Sequence, residues 1–142
     1  MSNFNPQFEK IGDILVYEGI IKDDALSKAL QEQKGSKEKL GHVLIKQGAI
    51  SEDDLVKAYS LQLGHKPILE EDLMKAPADV VSLIPEDFAT ENNVIALKKN
   101  DTTVLVAMED PEDLVTLDSI RKLTNLTPEV LVAGRSAIKT VI

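Results

Sequence analysis

Few residue types in this 142-residue chain could act on a substrate. It has no cysteine and only two histidines, His42 and His65. Thiolate catalysis, disulfides and cysteine-based zinc sites are therefore excluded together. A metal held by the two histidines would need carboxylate partners that the spacing does not single out, so no metal site is expected. The acid pairs Asp23-Asp24 and Asp53-Asp54 have the composition of a general acid and base. They stand at the starts of expected helices, where carboxylates complement the backbone dipole. No GxxxxGK[ST] phosphate loop occurs, so the chain reads as non-catalytic.

What recurs instead is a set of binding-type residues at fixed spacing. Residues 10–33 read KIGDILVYEGIIKDDALSKALQEQ, and residues 39–62 read KLGHVLIKQGAISEDDLVKAYSLQ. Without a gap, the copies agree at Lys10/Lys39, Gly12/Gly41, Leu15/Leu44, Gly19/Gly48, Ile21/Ile50, Asp24/Asp53, Leu26/Leu55, Lys28/Lys57, Ala29/Ala58 and Gln33/Gln62. Only KGSKE separates them, so the segment is a duplication. Leu26 and Leu55 at helical spacing suit a core. Neither capping nor burial calls for glutamine at both Gln33 and Gln62.

The elements that must position these residues follow from periodicity. Apolar residues from Phe8 through Ile11, Ile14 and Leu15 predict a helix, with Met1 to Gln7 frayed before it. Gly19 ends that helix, and a second follows with Ala25, Leu26, Ala29 and Leu30 on one face. The second copy repeats the plan, with Gly48 as the stop and Ser51 as N-cap ahead of Glu52, Asp53 and Asp54. Residues 8–63 thus predict two helical hairpins. The GHKP stretch at residues 64–67 marks a boundary.

After it the texture changes. Short helices are expected over residues 78–84 and 85–92, the second with Pro85 at its first position. A hairpin is expected from strands 94–97 and 103–108, and a helix opened by Asp110-Pro111. A third strand over 129–133 and a last helix from Ser136 complete the order. The fold class is α+β: a helical subdomain of two duplicated hairpins (8–63), then a small α/β subdomain with about three strands (68–142).

The formal charge of −8 opposes non-specific DNA or RNA binding, which needs a basic face. No apolar run is long enough to cross a bilayer, and the N-terminus lacks the basic start and apolar centre of a signal peptide. A cytoplasmic chain, meeting a membrane only indirectly, is expected.

The duplicated segment resembles the pattern RLGxxLxxxGxxxxxxLxxxLxxQ, which occurs twice with a five-residue spacer in the N-terminal domain of type II secretion and type IV pilus assembly ATPases. Here the pattern falls on Lys10, Ile11, Gly12, Leu15, Gly19, Leu26, Leu30 and Gln33, then on Lys39, Leu40, Gly41, Leu44, Gly48, Leu55, Tyr59 and Gln62. IPEDFATENNVIAL at residues 84–97 and VLVAMEDPEDLVTLDSIRKLT at residues 104–124 also look like that family.

The resemblance implies a regulatory or docking domain of a secretion or pilus ATPase. Its partner would be a protein of the inner-membrane platform, and its ligand cyclic di-GMP; no cofactor is expected. Implied ligand residues are Lys10, Gly12, Leu26, Leu30, Gln33, Lys39, Gly41, Leu55 and Gln62, with Asp110 reaching a guanine edge from the second subdomain. The glycines would admit a phosphate to the backbone, the basic residues would cover guanine faces, and the leucines would form the floor. Lysine replaces the motif arginine in both copies, Tyr59 replaces a leucine, and His42 stands opposite Asp13. Loss of each planar guanidinium implies weaker binding, by about 1–2 kcal/mol. The alternative is a protein-docking module that binds no nucleotide.

Overall fold

The computed structural model describes residues 10–142. Phe8 and the residues before it lie outside the described range. The chain divides between Gly64 and His65 into two compact units.

The first unit contains α1 (Ile11–Tyr17), α2 (Asp23–Lys34), α3 (Leu40–Lys46) and α4 (Glu52–Leu63). Its core is symmetric in the repeat: Ile14, Leu15, Ile21 and Ala29 are buried, and so are their counterparts Val43, Leu44, Ile50 and Ala58. Helix α1 packs on α4, and α2 packs on α3. These two pairs exchange when the copies are exchanged, while α1 and α3 also meet each other. The hairpins are therefore interlocked about a pseudo-two-fold relation, and each buries its apolar stripe on the other.

Helix ends follow the same duplication. Gly19 and Gly48 adopt φ of 73° and 74°, open to glycine without a Cβ penalty. The N–H of Ile20 donates to the carbonyl of Leu15, and that of Ala49 to Leu44, both at 3.0 Å. Together with Gly19 to Val16 and Gly48 to Ile45, this is the Schellman arrangement in both copies. At α4, the Ser51 Oγ accepts from the Asp54 N–H and the Asp54 carboxylate accepts from the Ser51 N–H, a complete capping box. Lys22, the equivalent of Ser51, makes no side-chain cap at α2.

The second unit contains α5 (Glu70–Leu73), α6 (Ala78–Val81), α7 (Glu86–Asn92), β1 (Val94–Lys99), β2 (Thr103–Met108), α8 (Leu114–Thr124), β3 (Thr127–Val132) and α9 (Arg135–Val141). The sheet order is β1-β2-β3, with β1 antiparallel and β3 parallel to the central β2. Parallel pairing needs a crossover, which α8 supplies. Strand alternation separates two apolar faces. Val94, Ala96, Val104, Val106 and Met108 pack with Val80, Ile84, Ala89 and Ile120, whereas Ile95, Leu97 and Ala107 pack with Leu73, Ala133 and Ile138. Both faces are thus covered by helices. The register shifts between Ala96 and Lys98, and Lys98 and Lys99 leave the edge strand exposed and charged.

Several boundaries differ from the sequence-based expectations. Asp110-Pro111 does not open the helix: Asp110 forms a turn, and α8 starts at Leu114 behind Asp113, whose carboxylate accepts from the Thr116 N–H at 3.1 Å. Two aspartates within four residues offer alternative caps, and the buried hydroxyl of Thr116, donating to Asp113 at 2.6 Å, selects the second. Pro85 stands at the N-cap of α7, one residue outside it. Strand β3 begins at Thr127 because the N–H of Thr127 donates to the carbonyl of Thr102. The single turn α5 was not anticipated, its EEDL having no helical period of its own. Pro67 bridges Val132, the Ile68 N–H donates to the Val132 carbonyl and the Val132 N–H donates to the Lys66 carbonyl, so the second unit takes up the chain before residue 68.

Candidate ligand-binding site

Within the first unit the expected binding residues fall into two equivalent groups. Lys10 and Lys39 occupy the N-cap positions of α1 and α3, with extended backbones (φ −75° and −70°) and exposed side chains. Each is followed after one residue by a buried glycine in the first helical turn. Above each glycine stands the leucine fourteen residues further on. A Cβ built on Gly12 would lie 2.6 Å from Leu26 Cδ1, and one on Gly41 would lie 2.5 Å from Leu55 Cδ1. Glycine therefore lets α2 close on α1, and α4 on α3, at the level of the leucine.

The two halves are not equally open. Leu55 is 3% exposed and belongs to the core, whereas Leu26 is half-buried. Leu30 is 42% exposed, and its counterpart Tyr59 is half-buried. Leu26 and Leu30 thus present apolar surface on α2, while Leu55 has little left to offer a ligand.

Gln33 acquires a structural partner. Its Nε2 donates to the carbonyl of Glu38 at 3.2 Å, tying the last turn of α2 to the residue before Lys39. Gln62 is half-buried in the last turn of α4; the carbonyl equivalent to that of Glu38 belongs to Glu9, outside the described residues. Asp110 belongs to the second unit, where its carboxylate accepts from the Glu112 N–H at 3.0 Å.

A polar cleft beside Lys39 escaped the sequence reading. It has a volume of about 290 Å³ and is lined by Glu32, Ser36, Glu38, Val43, Lys46 and Gln47. Gln47 Nε2 donates to Glu32 at 2.6 Å, and Lys46 Nζ pairs with Glu38. The duplication is broken here, since Leu61 and Tyr17 occupy the positions equivalent to Glu32 and Lys46. The departure of Lys46 from Tyr17 in the alignment was the available signal. A second unanticipated pair lies in the other unit. Arg135 grips Glu109 with Nε and Nη2 at 2.9 and 3.0 Å, and the carboxylate side chain is 10% exposed.

Among the described residues no group of three His, Asp or Glu side chains is placed to hold a metal ion. Among them, too, no helix is long and apolar enough to cross a membrane.

A duplicated helical unit followed by a three-stranded α/β unit, with a lysine at the N-cap of α1 and of α3, is a mixed α+β domain of the class that precedes secretion and pilus ATPase motors. The chain belongs to the MshEN domain family, which it matches over residues 64–142, and is homologous to the N-terminal domains of type II secretion and type IV pilus ATPases. It is 32% identical over 133 residues to the type IV pilus assembly ATPase PilB of Myxococcus xanthus (strain DK1622). That alignment covers 94% of this chain and 23% of PilB, so the chain spans under a quarter of its relative. Among solved structures, MshE with cdg superimposes with a TM-score of 0.77 at 28% identity, covering 93% of this chain and 95% of that one. The N-terminal domain of XpsE shares the fold, with a TM-score of 0.71 at 24% identity and coverage of 99% and 96%.

Proposed function

We propose that this chain is a non-catalytic regulatory and docking domain of a secretion or pilus-assembly ATPase, and that its duplicated motif binds cyclic di-GMP. The observation that supports this most is the likeness to MshE with cdg, read as cyclic di-GMP, across nearly the whole chain. The two equivalent lysines suit a ligand that carries two phosphates. Lys10 and Lys39 stand at equivalent N-caps of a pseudo-symmetric core, and both side chains are exposed. In this reading they contact the phosphates and guanine faces, Leu26 and Leu30 form the floor, and Gln33 and Gln62 bond polar edges. Gly12 and Gly41 shape the floor by admitting Leu26 and Leu55.

Calorimetry with cyclic di-GMP at low and moderate salt tests this. Heat that disappears in Lys10→Ala/Lys39→Ala is expected; absence of heat at high ligand concentration overturns the receptor reading.

A second reading is favoured by the packing itself. Gly12 and Gly41 are needed for helix packing and Gln33 bonds the Glu38 carbonyl, so these three motif positions are accounted for without a ligand. The domain would then serve only to dock the motor on a cytoplasmic partner at the inner-membrane platform. Retained pull-down of the platform protein together with null calorimetry would select it.

A further inference from the structure

The outer face of α8 is used by neither the nucleotide reading nor the core. Leu114 and Val115 are 74% and 78% exposed, the highest values among the exposed large apolar side chains of the described residues. They are adjacent in the first turn, and helical spacing places Asp118, Arg121 and Lys122 on the same side. All five are exposed, as is Glu112 just ahead of the helix. The buried side of α8 is supplied by Thr116 and Ile120, with Leu117 packed against the same core. Nothing in the packing of this unit requires leucine and valine to face outward.

The charge along this face has a direction. Glu112 stands at the N-terminal end, Asp118 in the middle, and Arg121 and Lys122 at the C-terminal end. Lys122 reaches back to Asp118 at 3.2 Å, but that pair is exposed (78% and 56%) and holds neither charge firmly. A face acidic at one end and basic at the other is complementary to its own antiparallel copy, which is the condition for an isologous two-fold contact.

We propose that the outer face of α8 is a self-association surface on which two copies of this chain pair with their α8 helices antiparallel. Leu114 and Val115 supply the apolar contact. The acidic end of each helix lies beside Arg121 and Lys122 of the other. Eleven residues of helix span only about 16 Å, so the contact falls below the standard interface size of roughly 1,600 Å². Association is accordingly weak and reversible, with a dissociation constant on the order of 10 μM to 1 mM.

Sedimentation equilibrium of the full chain, from micromolar to millimolar concentration, reads the proposal. The expected result is a monomer–dimer equilibrium weakened at least about tenfold by Leu114→Ser/Val115→Ser, which touches no buried position. Charge reversal gives the second reading. Glu112→Lys/Asp118→Lys and Arg121→Glu/Lys122→Glu should each be monomeric alone, and an equimolar mixture of the two should form a heterodimer. The absence of cysteine in this chain allows a third: Ser119→Cys, near the middle of α8, should give a disulfide dimer on oxidation, and Ser82→Cys should not. A monomer at all concentrations overturns the proposal. So does a dimer indifferent to the Leu114/Val115 change, or a mixture of the reversed variants that fails to associate.

Discussion

Leu55 lies over Gly41 so closely that a Cβ on the glycine would sit 2.5 Å from its Cδ1 and 2.9 Å from its Cδ2. The same relation joins Leu26 to Gly12, at 2.6 Å from its Cδ1, but there the leucine is half-buried. The motif leucine is therefore more deeply buried in the second copy than in the first.

Gly41→Ala is expected to destabilise the protein by about 1–3 kcal/mol, since Leu55 is 3% exposed and has nowhere to move. Gly12→Ala should cost less, because Leu26 and Leu40, which a Cβ there would meet at 2.6 and 3.1 Å, are both half-buried and give way more easily than a core leucine. Urea denaturation of the two variants reads the difference; equal midpoints would contradict the asymmetry.

Gly19 and Gly48 test backbone conformation without packing, because nothing lies within 4 Å of either built Cβ. Alanine at either site should cost about 1 kcal/mol from the positive φ alone, and asparagine less. Thermal unfolding of the four variants gives the comparison. Asparagine as costly as alanine would refute the conformational account.

The Arg135–Glu109 pair is bidentate, with its carboxylate nearly buried. Arg135→Met leaves that carboxylate without its partner and should destabilise by roughly 1–3 kcal/mol. Arg135→Met combined with Glu109→Gln should recover part of the loss. A double-mutant cycle measures the coupling, and additive losses would show that the pair contributes nothing beyond its parts.

If the duplicated motif binds cyclic di-GMP, Lys10→Arg with Lys39→Arg should tighten binding by about tenfold or more, since guanidinium stacks on guanine and forks to phosphate. Titration calorimetry of the double variant is the check. Unchanged affinity would remove the two lysines as anchors.

Much of the first unit is legible in the residues because it is local and written twice. Helical spacing, the glycine stops Gly19 and Gly48 and Ser51 ahead of three acids act within a turn or two of the chain, so the sequence alone determines four helices, the first and third ending at a glycine and the fourth opening behind Ser51. Runs of β-forming residues likewise announce three strands, and the chain's residue pattern resembles secretion and pilus ATPase domains, the family to which it belongs. Tertiary structure decided the rest, because the deciding partners are distant in sequence. Pairing of α1 with α4 and α2 with α3 buries each hairpin on its copy, which no single hairpin specifies. Of Asp110 and Asp113, Thr116 picked the cap of α8 from inside the core. Gln33 looked unexplained until the turn before Lys39 brought the Glu38 carbonyl to it. What stands over the motif glycines was also decided in three dimensions: Leu26 lies over Gly12 and Leu55 over Gly41, because only a residue without a side chain allows helices to approach that closely.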